Sequence, residues 1–201
     1  MDAYFTAPWQ TRALLHHQPI LGLVLECCSG DQSIAKELRA VGLTVVTNDI
    51  VATRKSDVCF DATDPTLYAW VLKRWGQYPD WVVTNPPYAM PTCTQIVENA
   101  VNYARVGVAM MVRLSFREPT SKINPRGPFL EACPPQRALT LPRYSFTGNG
   151  KSDSTTTEWL IWLADGVPGS SLPPILSLYK ADERFSDPAP PISVASRRRH
   201  R

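Results

Sequence analysis

Residues 20–42 read ILGLVLECCSGDQSIAKELRAVG. The stretch opens with an apolar run, 20–26, that ends in an acid. A tight turn follows at 27–31. Ile34, Ala35, Leu38 and Val41 then recur at helical spacing until Gly42 stops the helix. A strand buried on both faces shows no alternation, and an apolar run of this length is how a strand of a parallel sheet reads. The stretch therefore predicts strand, turn and helix in that order.

The same unit recurs downstream. Residues 43–48 (LTVVTN) predict a second strand that delivers Asp49, and 57–60 (DVCF) a short third strand that delivers Asp61. Asp64-Pro65 marks a helix start, with a capping side chain before a proline at the first helical position, and the helix stops at Gly76. Residues 80–84 (DWVVT) predict a fourth strand, 92–104 a helix and 106–113 (VGVAMMVR) a fifth strand. Upstream, 9–17 predict a short helix. Downstream, 136–141 and 157–163 (TEWLIWL) predict an antiparallel pair separated by the polar segment Pro142–Thr156. Alternating strands and helices call for a doubly wound, mostly parallel α/β sheet of Rossmann-like type, here with an antiparallel C-terminal strand pair.

The 201 residues, 44% of them hydrophobic, suit one compact domain. We expect it over residues 1–163, followed by a Pro- and Ser-rich tail over 164–201. Net charge is +3, but Arg197, Arg198, Arg199 and Arg201 supply it, and the remainder carries 17 basic against 18 acidic residues. The tail suits either phosphate contact or plain solvation. Five cysteines without a CxxC, two of them adjacent, and only three histidines argue for reduced thiols and no zinc site. No secretory leader pattern opens the chain, and no apolar run approaches the ~20 residues of a membrane span. The expectation is a cytoplasmic protein with no membrane partner.

In a doubly wound sheet, ligands bind beyond the carboxyl ends of the strands. The predicted strand ends carry Glu26, Asp49 and Asp61, and the first turn carries Gly30. A glycine lets the backbone approach a ligand closely. Glu26 suits a cationic group, Asp49 the two hydroxyls of a ribose, and Asp61 an adenine amino group. This set fits the adenosyl sulfonium of S-adenosylmethionine (SAM). The dinucleotide turn GxGxxG and the phosphate loop GxxxxGK[ST] are both absent, which argues against a nicotinamide enzyme and against an ATPase.

The most specific feature is Asn85-Pro86-Pro87-Tyr88, directly after the fourth strand. An exocyclic amino group is a poor nucleophile because its lone pair is delocalised into the ring. The Asn85 side-chain oxygen and the Pro86 carbonyl can each accept one amino hydrogen. That draws the nitrogen toward tetrahedral geometry and aims its lone pair at a methyl group. Consecutive prolines stiffen the acceptors, and Tyr88 can stack on the base. A duplex base would have to be flipped out to reach them. The bland alternative is a proline turn with Tyr88 as packing.

At these residues the sequence resembles the class I SAM-dependent amino-methyltransferases with an (N/D/S)PP(Y/F) motif, and more narrowly the small DNA N6-adenine methyltransferases of phages and prophages. The resembling stretches are Tyr4–Trp9, LECCSGDQSIAKEL (25–38), TNDI (47–50), DWVVTNPPY (80–88), VRLSFREPT (112–120) and 141–162. The resemblance implies SAM as cofactor. It places Thr6 and Pro8 in an N-terminal cofactor segment and Glu26, Cys27, Ser29, Gly30 and Asp31 in the SAM pocket. Asp49 and Ile50 would meet the ribose side, Asp61 the adenine, and Asn85, Pro86, Pro87 and Tyr88 would be catalytic, with Asn85 also among the cofactor-binding residues.

Two departures accompany it. The family turn often reads SGDG, whereas Gln32 follows Asp31 here, and a side chain at that position is expected to narrow the backbone approach. A separate target-recognition domain is not expected within these 201 residues. Arg113 and Arg117 after the fifth strand, and Arg143, Tyr144 and Lys151 in the Pro142–Thr156 segment, are then the candidate nucleic-acid contacts. The expected partner is DNA, duplex first and RNA as the alternative, handled by a monomer or homodimer. Competing readings are cytosine N4 or RNA-base methylation, glutamine methylation in protein, and an inactive binding module on the same scaffold.

Overall fold

The computed structural model describes residues 6–118, 126–143, 156–164 and 175–177. In chain order the elements are α1 (Pro8–His17), β1 (Leu23–Glu26), α2 (Ser33–Ala40), β2 (Thr44–Thr47), α3 (Thr66–Trp75), β3 (Trp81–Thr84), α4 (Thr92–Tyr103), β4 (Gly107–Arg113), a 3-10 turn (Leu114–Arg117), α5 (Arg126–Ala132), β5 (Arg137–Thr140), β6 (Thr157–Leu163) and β7 (Ile175–Ser177). Among them the strands form one sheet in the order β2-β1-β3-β4-β6-β5-β7. The first four are parallel. β6 inserts antiparallel between β4 and β5, and β7 runs parallel to β5.

The buried runs put alternate side chains on opposite faces, and both faces are covered. Leu23, Leu25, Val82, Met110 and Val112 join one apolar cluster with α3 and α4. Val24, Trp81, Val83, Ala109 and Met111 join the other, with α1 and α2. Trp159 on β6 ties the second cluster to the N-terminal helix, its indole Nε1 donating to the Gln10 carbonyl at 2.9 Å.

Two predicted strands come out much shorter, whereas the others keep their bounds to within one residue at each end. The run 20–26 pairs only from Leu23, because Gly22 adopts φ +90° against the Asp80 carboxylate, which accepts the Leu23 N–H at 2.8 Å. The strand predicted over 57–60 reduces to a single bridge, Asn48 with Val58. Side chains replace its ladder: Asp57 Oδ2 accepts the Thr47 N–H at 2.7 Å, and Asn48 Oδ1 accepts the Phe60 N–H at 2.8 Å. The helix expected at Asp64-Pro65 runs over α3, with Asp64 accepting the Thr66 N–H at 2.8 Å. That bond holds the exposed Asp64 carboxyl below its usual range. α5 and β7 had no counterpart in the sequence reading.

Candidate active site

The turn after β1 is held from three sides. Cys28 N donates to Thr84 Oγ1 at 3.1 Å, Ser29 N to the Asn48 carbonyl at 2.8 Å, and Gly30 N to Asp49 Oδ2 at 2.8 Å. The ends of β1, β2 and β3 are thus bonded into one frame. Beyond that frame opens a cavity of about 560 Å³. Thr6, Glu26, Cys27, Ser29, Gly30, Asp31, Asp49, Ile50, Asp61, Asn85, Pro86, Pro87 and Tyr88 all line it, and so does Arg113.

Glu26 is 1% exposed, and its Oε2 accepts the Ala35 N–H at 3.0 Å. Among the described residues no basic side chain forms an ion pair with it. Burial pushes its carboxyl well above the usual range, opposed by that backbone bond. Asp49 is nearly as buried and receives two backbone donors, Gly30 N on Oδ2 and Val51 N on Oδ1 at 2.9 Å. Asp61 is exposed, with Oδ1 accepting the Thr63 N–H at 2.9 Å. Asp31 is exposed too, and its Oδ1 accepts the Ser33 N–H at the start of α2 at 3.0 Å.

Gly30 has φ +52°, and a Cβ built on it would meet no protein atom within 4 Å. Ser29 Oγ is buried with no hydrogen-bond partner among the described residues. An open approach over the glycine, an orphan hydroxyl and a buried carboxyl with no ion-pair partner among the described residues make a cradle that fits a cationic adenosyl ligand.

In the loop after β3, Asn85 Nδ2 donates to Thr6 Oγ1 at 3.2 Å, so the segment before α1 fixes the amide. Pro86 is buried, and Tyr88 is half-buried with the Arg113 guanidinium 5.0 Å from its ring centroid. Thr92 and Ile96 complete this wall. They were missed from the sequence, although 92 and 96 are the i, i+4 pair on the first turns of α4. Arg54 was missed as well, since a lone arginine in a loop carries no pattern.

The Cys28 and Cys93 thiols are poor nucleophiles. Hydrogen bonding from Cys27 together with burial pushes the Cys28 thiol up, and burial brings Cys93 to about 12. Among the described residues no group of three or more His, Cys, Asp or Glu forms a metal-ligand set. No described helix is long and apolar enough to cross a membrane.

Three predicted site residues stand elsewhere. Pro8 is exposed at the first position of α1 and starts that helix. Arg117 points to Glu158, each of its Nε and Nη2 groups donating to one carboxylate oxygen at 2.7 Å. Arg143 is exposed after β5, outside the cavity wall. Tyr144 and Lys151 lie outside the described residues. Gln32 corrects an expectation. It takes φ +63°, and its side chain turns away from the cavity, donating to the Lys55 carbonyl and accepting from Arg39 Nη1 at 3.2 Å. It therefore does not narrow the approach over Gly30.

No family model matches the chain, and no curated protein sequence matches it. Solved structures do. A Listeria monocytogenes protein assigned to the class I SAM-dependent methyltransferases superposes with a TM-score of 0.55 at 13% identity, over 88% of this chain and 64% of its own.

The fold is the class I methyltransferase fold.

The methyltransferase subunit of a type I restriction-modification system from Streptococcus thermophilus gives 0.56 at 12% identity, over 79% of this chain and 44% of its own. A Pyrococcus horikoshii protein assigned to the RNA methyltransferases gives 0.51 at 12%, over 77% and 79%. The chain therefore spans under two thirds of the first two neighbours.

Proposed function

We propose that this chain binds SAM and transfers its methyl group to the exocyclic amino nitrogen of a nucleobase, adenine N6 in DNA, with the target flipped out of its stack. The observation that carries the reading is one cavity joining the two halves of that chemistry. Glu26, Gly30, Asp49 and Asp61 line it together with Asn85, Pro86 and Tyr88. SAM, when bound, supplies an electrophilic methyl on a positively charged sulfur. Buried Glu26 faces that charge, Gly30 lets the ligand lie against the backbone, and Asp49 takes ribose hydroxyls.

The Asn85 amide oxygen and the Pro86 carbonyl each accept one hydrogen of the target amino group. With Nδ2 engaged by Thr6, the amide orientation is set before substrate arrives. The nitrogen lone pair forms the new N–C bond as the C–S bond breaks and its electron pair returns to sulfur. The surplus proton on nitrogen then leaves to water, so no tuned base is needed.

The test is incubation with SAM and unmethylated plasmid DNA, followed by nucleoside mass spectrometry, with Asn85→Ala alongside. N6-methyladenine from the wild type and at least roughly 100-fold less from the variant supports the reading. N4-methylcytosine keeps the chemistry and changes the base. No methylated nucleoside despite SAM binding overturns the DNA assignment. RNA is the second reading, because the neighbour assigned to RNA methylation is spanned over 79% of its length, against 44% for the DNA-modification subunit. The same assay on total RNA separates the two.

A further inference from the structure

We infer that Arg113 is a positioning residue that braces the Tyr88 ring from one face so that the target base stacks on the other, giving an arginine–tyrosine–base sandwich. The inference rests on the proposed function for the identity of the base. The brace itself rests on geometry. The Arg113 guanidinium lies 5.0 Å from the Tyr88 ring centroid, inside the reach of a cation–π contact, and both side chains line the cavity.

Both partners sit on stiff supports. Arg113 is the last residue of β4, paired with Thr157 of β6. The next residue, Leu114, donates its N–H to the Thr156 carbonyl at 3.0 Å, and the turn it opens is pinned by the Arg117–Glu158 pair. Tyr88 follows two prolines, which leave its loop few backbone conformations. A planar guanidinium on a strand end can hold a ring still, whereas a ring left to rotate would present its face only part of the time. A cation behind the ring also polarises it toward the electron-rich face of a purine.

The charge layout agrees. The four cavity carboxylates stand at the end of β1 (Glu26), in the turn after it (Asp31), after β2 (Asp49) and in the loop before α3 (Asp61), with Arg54 among them in sequence, whereas Arg113 ends β4 and stands beside Tyr88 of the loop after β3. A guanidinium placed there has two alternative uses, bracing Tyr88 or gripping a phosphate of the nucleic acid, and the two separate cleanly by experiment.

The experiment compares wild type, Arg113→Ala, Arg113→Lys, Tyr88→Ala and the Arg113→Ala/Tyr88→Ala double variant. Read-outs are steady-state methylation of plasmid DNA over a salt series, melting temperature, and NMR of ring-labelled tyrosine in the protein without DNA. A brace predicts a loss of about 3- to 30-fold in kcat/KM for Arg113→Ala. It also predicts no further loss when Tyr88 is already alanine, little rescue by lysine, and an unchanged salt slope. The Tyr88 ring signal shifts and its line shape alters in Arg113→Ala, with the melting temperature preserved.

A phosphate grip would instead persist in the Tyr88→Ala background, be rescued by lysine, and flatten the log–log salt slope by about 0.9, and that pattern overturns the inference. Higher activity in Arg113→Ala overturns it too, since the guanidinium would then be occupying the place of the base. If the wild type methylates no nucleic acid, the proposed function falls. The NMR arm still decides the brace, and an unshifted Tyr88 ring in Arg113→Ala rejects it. Should Arg113→Ala fold poorly, Arg113→Lys carries the same NMR and salt measurements.

Discussion

The carboxylate of Asp49 accepts the backbone N–H of Gly30 at 2.8 Å, tying the turn after β1 to the end of β2 across 19 residues. Its other oxygen accepts Val51 N at 2.9 Å. The residue assigned to the ribose is therefore also a strut of the glycine turn. Asp49→Asn can satisfy only one of the two donors, because its NH₂ faces the second N–H. We expect a stability loss of about 1–3 kcal/mol, the cost of a buried donor left unpaired. The loss of cofactor affinity should be at least tenfold. Urea denaturation and calorimetric titration with the demethylated cofactor measure the two separately. A stable variant with unchanged affinity would remove Asp49 from both roles.

Glu26 makes a pH prediction whose sign is fixed. Burial raises its folded-state pKa, and the Ala35 bond only partly offsets that. Between the ordinary carboxylate value and the raised one, the folded state holds a proton that the unfolded state has lost. The stability contributed by Glu26 is complete below the ordinary value, and it is lost as pH rises through the folded one. Glu26→Gln cannot titrate. Its stability relative to wild type should therefore improve from pH 5 to pH 8, measured by urea denaturation without ligand. A sulfonium ligand should pull the carboxyl back down, so SAM affinity in the wild type rises over the same range and stays flat in the variant. A flat wild-type profile in both experiments would place Glu26 outside the cation site.

Much of this architecture was legible in the sequence because it is written locally. TEWLIWL at 157–163 forms β6 over those residues, and LVLE and WVVT end β1 and β3 where the acid and the Asn85 loop begin. Strand ends of a doubly wound sheet converge by topology, so reading the residues after each strand finds the cavity wall. What was not legible depends on partners far along the chain. The run 57–60 reads as a strand, yet the Asn48 side chain takes its Phe60 N–H and the Asp57 side chain takes the Thr47 N–H of the neighbouring β2. Arg117 reads as an exposed base, but its partner Glu158 lies 41 residues on. Tyr88 and Arg113 are 5.0 Å apart at the ring, and only the pairing of β3 with β4 brings them together.

Gln32 stands in the left-handed region at φ +63°, at the cap of α2. Its side chain bonds to Lys55 and Arg39 rather than to the cavity. Gln32→Ala and Gln32→Gly lose those bonds equally, but only alanine keeps the Cβ that strains this conformation. Glycine should therefore be the more stable of the two by about 1 kcal/mol, even after its greater unfolded-state freedom. Neither should change cofactor affinity by more than about twofold, since no side-chain atom of Gln32 lines the site. Parallel chemical denaturation and calorimetry check this. A large affinity gain in Gln32→Gly would restore the view that the side chain narrows the approach.

The Arg117–Glu158 pair separates a structural arginine from a functional one. Glu158 is fully buried on β6, whereas the Arg117 side chain is 35% exposed. Burial pushes the Glu158 carboxyl up while Arg117 pulls it down. Removing Arg117 strands a buried carboxylate, which costs about 3–5 kcal/mol in a wholly buried pair. Solvent beside Arg117 screens the pair, so we expect about 2 kcal/mol for Arg117→Ala at pH 8. At pH 5 the loss should shrink, because an unpaired Glu158 has its pKa raised further and takes up a proton there. Arg117→Ala/Glu158→Gln should recover much of the stability at pH 8, since no charge is left to bury. The salt slope of DNA binding should match wild type in both variants. If instead Arg117→Ala keeps its stability and loses about 0.9 from that slope, Arg117 contacts a phosphate and the pair with Glu158 opens when nucleic acid binds.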